Sequence, residues 1–207
     1  MLKTGIIQVS YSPWSSLVVI VTKKEGDPRF CVDYRKLNNI TITDAHPIPR
    51  IDELLERYRT GKWFTNLDLA SGYWQIEMEL QDKPKMAFTY HLRLYEFNVI
   101  PFGLKNAFPT FQRLMNEILR EYLDEFVIVY IDDLLIYSKS YEEHIEHIRK
   151  IFEKLREVNL MVKLKKCKFC MPSIEFLGHI IGKDGLQPDP TKIEKMENLK
   201  LLKDLKH

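Results

Sequence analysis

An α+β domain built on an antiparallel sheet is the fold class this sequence predicts, and three observations carry it. Residues 126–137 hold two short β-branched, apolar runs that enclose a single pair of acids, Asp132 and Asp133. Such a pattern reads as a hairpin with the acids at its tip. Residues 106–122 and 142–158 place their apolar side chains at helical spacing, so each has one face to bury. Strand-like and helical stretches are otherwise mixed, without the regular alternation that a doubly wound parallel sheet requires.

Size and composition fit a globular chain. The 207 residues are 45% hydrophobic, enough for a core in one large domain or two small ones. No apolar run reaches the roughly 20 residues that span a bilayer. The first five residues lack the apolar centre of a signal peptide, which predicts an intracellular protein. Cys31, Cys167 and Cys170 are too few for a disulfide framework and agree with a reducing compartment. Net charge is only +2, but the cations are uneven. Lys163, Lys165, Lys166 and Lys168 form one cluster, and Lys23, Lys24, Arg29, Arg35 and Lys36 form another. Two basic patches around an acidic centre suit a phosphate-rich partner, whereas a solvated face would need none.

In chain order, residues 17–21 read as an apolar strand, residues 23–28 as a turn and residues 29–34 as its partner strand, a hairpin with cations at its tip. His46, Pro47 and Pro49 hold the chain extended before a helix whose Ile51, Leu54, Leu55 and Tyr58 share one face and which Gly61 ends. Residues 63–69 form a strand with Asp68 near its end, a position where a lone acid commonly serves as a cap. Residues 75–78, 86–90 and 95–100 predict further strands, with a turn at Pro101, Phe102 and Gly103. Beyond the helix at 142–158 come a strand near residues 160–162, the lysine cluster, a strand-like stretch at 175–181, and a last helix that Thr191 would cap.

Most isolated signals have bland readings. Cys167 and Cys170 have the spacing of half a zinc site, but no second pair accompanies them. His144 and His147 lie three apart on a helix among glutamates, which predicts a solvated face. The carboxylates are different. If the strand ending at Asp68 neighbours the 126–137 hairpin, three acids meet at one point. That arrangement serves two magnesium ions in an in-line displacement at phosphorus. Alternation along a strand would make one of Asp132 and Asp133 the principal ligand, the other a weaker contributor.

Several ordered blocks together resemble a reverse transcriptase of the gypsy-type long-terminal-repeat retrotransposon class. They are residues 29–38, residues 67–73, Pro101-Phe102-Gly103-Leu104, Phe111-Gln112, Tyr130-Ile131-Asp132-Asp133 and Phe176-Leu177-Gly178-His179. The resemblance covers nearly the whole chain in the right order. It implies a right-hand polymerase: fingers at about 1–42 and 76–106, palm at about 43–75 and 107–184, and at 185–207 only the start of a thumb or connecting segment. It implies Asp68, Asp132 and Asp133 as catalytic and metal-binding carboxylates for two Mg2+ ions, with Mn2+ as a substitute, and Asp68 with Asp132 as the shared pair. Tyr73 matches the ring that excludes a ribose 2′-hydroxyl, Phe102 lines the nucleotide pocket, and Lys23 and Arg29 match the cations on the triphosphate. Phe176, Leu177 and Gly178 resemble the hairpin that grips the primer end, and Lys165 or Lys166 the lysine near the leaving group.

The implied activity is RNA-directed DNA polymerisation, adding deoxynucleoside triphosphates to a primer on an RNA or DNA template. RNase H and integrase modules are expected in the parent polyprotein, no membrane is involved, and the setting is a cytoplasmic particle. Two positions depart from the family pattern. Phe108 stands where proline is usual, with the proline displaced to Pro109, and Arg93 stands where glycine is usual. The first would move a helix start, and the second would strain a turn that needs positive φ. Those departures and the short thumb motivate an alternative, a catalytically impaired nucleic-acid-binding fragment of a decayed element. A metal-dependent nuclease would leave Tyr73 and the fingers cations without a role.

Overall fold

A computed structural model describes residues 1–22, 28–47, 49–56, 61–69, 71–183 and 185–188, without the side chains of residues 28, 29, 52, 55 and 56. In chain order the elements are β1 (Ile7–Val9), β2 (Leu17–Thr22), β3 (Pro28–Asp33), α1 (Arg35–Ile40), α2 (Ile51–Glu56) and β4 (Trp63–Asp68). They continue with β5 (Phe88–Tyr90), β6 (Arg93–Phe97), α3 (Ala107–Ile118), β7 (Val127–Tyr130), β8 (Asp133–Ser138) and α4 (Tyr141–Glu157). Four strands follow: β9 (Lys168–Met171), β10 (Ser173–Phe176), β11 (His179–Gly182) and β12 (Gly185–Pro188). The chain is divided between two compact units, residues 1–48 with 70–114 and residues 49–69 with 115–207.

The first unit contains a β2–β3 hairpin and a sheet in the order β1-β6-β5. β2 pairs antiparallel with β3 from Leu17 opposite Asp33 onward, as its β-branched residues predict. Its core gathers Val32, Tyr34, Met86, Phe88 and Phe97, and the buried Tyr34 hydroxyl donates to the Met86 carbonyl at 3.0 Å. The predicted strand at 75–78 is not formed. Gly72–Gln75 instead makes a 3₁₀ turn, and only Glu77 bridges to Val99. The strain expected at Arg93 also falls elsewhere. Arg93 is a paired strand residue opposite Tyr90, and His91 and Leu92 between them take the positive φ values, 46° and 60°. Pro109 costs nothing, because α3 begins at Ala107 and its first turn has no intrahelical use for that N–H.

The second unit is built on a four-stranded antiparallel sheet, β7-β8-β4-β9, beside a smaller one, β10-β11-β12. Phe64, Ile128, Leu135, Tyr137, Ile174, Phe176 and Ile181 pack with Leu54 of α2 into its core. The strand-like stretch at 175–181 is a hairpin, turning at Leu177 and Gly178 with φ of 50° and 77°. α3 is shorter than the 106–122 predicted, and the chain near Val162 makes a single bridge to Leu69 rather than a strand. The last predicted helix and Thr191 lie outside the described residues.

α4 packs against β8 and β4 and is capped by the Ser140 side chain, which accepts from the Glu143 N–H. His144 corrects the expectation of a solvated face. It is fully buried, at 0% exposure, between hydroxyls of β4 and β8. Burial pushes its imidazole down to about 4. The unfolded chain takes that proton near pH 6.5 while the folded chain resists it. The stabilisation is therefore complete above pH 6.5 and is lost as pH falls towards 4, by about 2 to 3 kcal/mol. Chemical denaturation at pH 7.5 and pH 4.5 should show that loss, and a His144→Gln variant should show a smaller one.

Candidate functional site

The hairpin and the Asp68 strand meet as the carboxylate count suggested. β4 lies directly beside β8, and the register sets Asp68 opposite Asp133. Paired residues of an antiparallel ladder project to one face, so these two carboxylates share a face with Asn66 and Leu135. Asp132 is not a strand residue. It sits with Ile131 in the two-residue turn between Tyr130 and Asp133, so alternation along a strand does not separate the two acids. Ile131 takes φ +54°, a costly conformation for a β-branched residue. The tip is tied down by main-chain bonds. The Leu69 N–H donates to the Asp132 carbonyl at 2.9 Å, and the Lys163 N–H donates to the Asp68 carbonyl at 2.7 Å.

The electrostatics are those of crowded, half-sheltered acids. Burial raises the Asp132 carboxyl above the usual carboxylate range, and the charge of Asp68 adds to it. Burial likewise raises Asp133, followed by the charges of Asp68 and Asp132. Lys166 opposes both: its Nζ donates to Asp68 Oδ2 at 2.8 Å, and that bond holds its ammonium above the usual lysine range. Lys166 ends a short 3₁₀ turn, Leu164–Lys166, that leads into β9 beside β4. Of the two candidate lysines it is the one that reaches the acids. Asn66 hydrogen-bonds to Asp133, and its buried Oδ1 has no partner among the described residues.

Among the described residues no three His, Cys, Asp or Glu side chains are grouped as a metal cluster, the Cys167–Cys170 pair included. The donor set at the tip nonetheless fits a hard divalent cation. It offers neighbouring carboxylates, two of them raised by burial and by the charge of Asp68, an orphaned amide oxygen behind them, and an ammonium already drawn to Asp68.

In the other unit, Tyr73 lies on the Gly72–Gln75 turn with its ring edge-on to Phe102 at 5.2 Å and to Phe111 at 5.3 Å. The turn needs Gly72: a Cβ there would lie 2.8 Å from the Phe111 ring. Phe102 also meets Trp74 at 5.7 Å. The loop that carries Phe102 is clamped by a residue that sequence reasoning quoted without a role. Asn38 Nδ2 donates to the Gly103 carbonyl and its Oδ1 accepts from the Lys105 N–H, both at 2.8 Å. Its sequence signal is the pair Asn38-Asn39 in the last turn of α1.

The remaining candidates divide. Phe176 is a buried core residue, 2% exposed, while Leu177 and Gly178 form the turn beyond it. Lys165 is exposed. Lys23 lies outside the described residues, and Arg29 is placed only as a backbone position of β3.

A family model described as reverse transcriptase (RNA-dependent DNA polymerase) matches residues 21–181. The Pol polyprotein of transposon 297 from Drosophila melanogaster is 44% identical over 94% of the chain and 19% of its own length. That of transposon gypsy from the same organism is 40% identical over 95% of the chain and 20% of its own length. The Tf2-3 polyprotein of Schizosaccharomyces pombe is 37% identical over 99% of the chain, which spans 15% of it. The chain thus spans a fifth or less of the curated relatives it matches. Among solved structures, a foamy viral protease–reverse transcriptase in complex with double-stranded DNA superposes with a TM-score of 0.89. It is 24% identical, over 95% of the chain and 34% of its own. The prototype foamy virus enzyme superposes at 0.77 with 30% identity, over 86% of the chain and 24% of its own.

Proposed function

The chain belongs to the reverse transcriptase (RNA-dependent DNA polymerase) family, and from that premise we propose that it is the fingers-and-palm portion of a retrotransposon polymerase. In this reading it extends a primer 3′-hydroxyl on an RNA or DNA template with deoxynucleoside triphosphates. Within a parent polyprotein it would act beside RNase H and integrase modules. The observation that carries the reading is the register of β4 against β8, which brings Asp68 to Asp133 beneath the turn that holds Asp132.

Asp68, Asp132 and Asp133 would hold two Mg2+ ions, with Mn2+ as a substitute. Bound there, such ions acidify the attacking hydroxyl and neutralise charge on the leaving oxygen. The chain's own groups supply the rest. Lys166 donates to the Asp68 carboxylate, and its Nζ carries a proton that a departing diphosphate can take. Tyr73, held edge-on by Phe102 and Phe111, presents a rigid ring that a 2′-hydroxyl would strike. Lys23 and Arg29 would hold the triphosphate, Arg29 through its forked donors. The Phe176-Leu177-Gly178 turn would support the primer terminus from a base rooted in the core. Among the described residues no helix is long and apolar enough to cross a membrane.

Magnesium-dependent primer extension by this chain tests the reading, with Asp132→Asn as the control. Extension by the parent chain and its loss in the variant are expected. Undiminished extension by Asp132→Asn would falsify the site, and salt-sensitive primer–template binding without any extension would favour the non-catalytic alternative.

A further inference from the structure

The face of β4 and β8 opposite the carboxylates is fastened by a polar chain, not by apolar packing alone. Pairing sets Trp63 opposite Ser138 and Thr65 opposite Ile136, so these side chains point away from Asp68 and Asp133, towards α4. His144 of α4 bridges them. Its Nε2 lies 2.8 Å from Thr65 Oγ1 and its Nδ1 lies 2.8 Å from Ser138 Oγ. Ser138 Oγ reaches on to His147 Nδ1, also at 2.8 Å. Thr65 and His144 are 0% exposed and Ser138 4%, so none of these groups can turn to water instead.

The chain reaches a third strand. β9 loses register against β4 between Phe64 and Asn66, where Phe169 and Cys170 stand against Thr65 alone. Cys170 takes φ +50° at that bulge, and its N–H donates to Thr65 Oγ1 at 3.0 Å. The Cys170 amide can only donate, and it takes one of the two acceptor sites of the Thr65 hydroxyl. One tautomer then satisfies every group: Thr65 donates to His144 Nε2, His144 carries its proton on Nδ1 and donates to Ser138, and the Ser138 hydroxyl donates to His147 Nδ1. Every link is satisfied by a neutral imidazole, and burial keeps His144 neutral down to about pH 4.

We propose that His144 is a positioning residue for the site: through Thr65 and Ser138 it locks β4, β8 and β9 in the one register that sets Asp68 opposite Asp133 and Lys166 against Asp68. A slip of one residue would turn the carboxylates to the other face. β4 and β8 are six residues each, so few ladder bonds oppose a slip. A fully satisfied buried network specifies a unique arrangement in a way that interchangeable apolar contacts do not. The inference rests on reading Asp68 and Asp133 as the working carboxylates. The lock itself is measurable without catalysis.

The test is amide exchange at Leu69, whose N–H donates to the Asp132 carbonyl and so reports the tip, against Leu155 in α4, which reports unfolding of the unit. Thr65→Val keeps the shape of the side chain and removes the hydroxyl. It should speed Leu69 exchange at least tenfold relative to Leu155, while Thr65→Ser should match the parent chain. His144→Leu should give the Thr65→Val signature, and the double variant should be no worse than either single one. Where extension is measurable, kcat falls in Thr65→Val and the KM for nucleotide does not. Leu69 and Leu155 accelerating together, or Thr65→Ser behaving as Thr65→Val, overturns the lock and leaves a merely structural network. If His144→Leu does not fold, the valine and serine variants decide the matter alone. Absence of extension in every protein, with the exchange pattern as expected, overturns the polymerase reading and leaves the lock standing.

Discussion

Asp68→Asn is expected to cut magnesium-dependent primer extension by about a thousandfold, roughly 4 kcal/mol of transition-state stabilisation. The substitution is isosteric, and the main-chain bond from Lys163 to the Asp68 carbonyl is untouched by it. Stability should move the other way. Asp68 raises both Asp132 and Asp133 by its charge, so the three acids repel one another in the folded state. Against that stands the Lys166–Asp68 pair, whose lysine is 56% exposed. An exposed pair of this kind is worth at most about 1 kcal/mol. Like charges directly across a ladder cost a comparable amount and are relieved in the variant. Thermal stability without added metal should therefore hold or rise slightly while turnover collapses. A variant that loses extension and also melts several degrees lower would mean that Asp68 is a structural ion-pair partner, not a working carboxylate. Binding of primer–template in low salt should be unaffected, since the lysines remain.

How much of this was legible beforehand depended on sequence distance. The β7–β8 hairpin was legible because both strands and the turn lie within residues 126–137, and β-branched runs around two polar residues admit few other folds. The neighbourhood of β4 and β8 was only conditional, because pairing across some seventy positions leaves no local trace. Lys166 illustrates the limit: it was one of two adjacent lysines until β9 fell beside β4 and carried it to Asp68. The false strand at 75–78 has a different cause. Its residues alternate acceptably, but Gly72 lets the chain tighten into a 3₁₀ turn that packs Tyr73 against two rings, and tertiary packing overrode the local pattern. His144 was within reach. It stands on the stripe of Ile148, Ile151 and Leu155 at helical spacing, while Glu142, Glu143 and Glu146 beside it are exposed. A polar residue on an apolar stripe is a question about its partners, and here the partners were one serine and one threonine on two strands.

Gly72→Ala carries the second large effect, because one methyl group is placed where the Tyr73 ring is held. The added carbon would stand 2.8 Å from Phe111 Cζ and 3.1 Å from its Cε2, and Phe111 is 0% exposed. Real contacts of that kind do not occur, so either Phe111 or the turn must give way. Phe111 stands edge-on to Tyr73 at an interplanar angle of 89°, and Tyr73 shares Phe102 with Trp74, so the displacement passes to the Tyr73 ring, which the proposed function sets against the sugar. Overpacking a buried position typically costs about 1 to 3 kcal/mol. The expected result is a KM for deoxynucleotides raised about tenfold, and a preference over ribonucleotides lowered by a similar factor, both within that energy range. Phe111→Leu supplies the check, because it removes Cζ and reopens the space. Combined with Gly72→Ala it should recover much of the lost discrimination, while alone it should cost stability through the cavity it leaves. Additive losses in the double variant would place the defect outside the contact between these two residues. Tyr73→Ala should give weak discrimination in either background, since it deletes the ring on which both substitutions act.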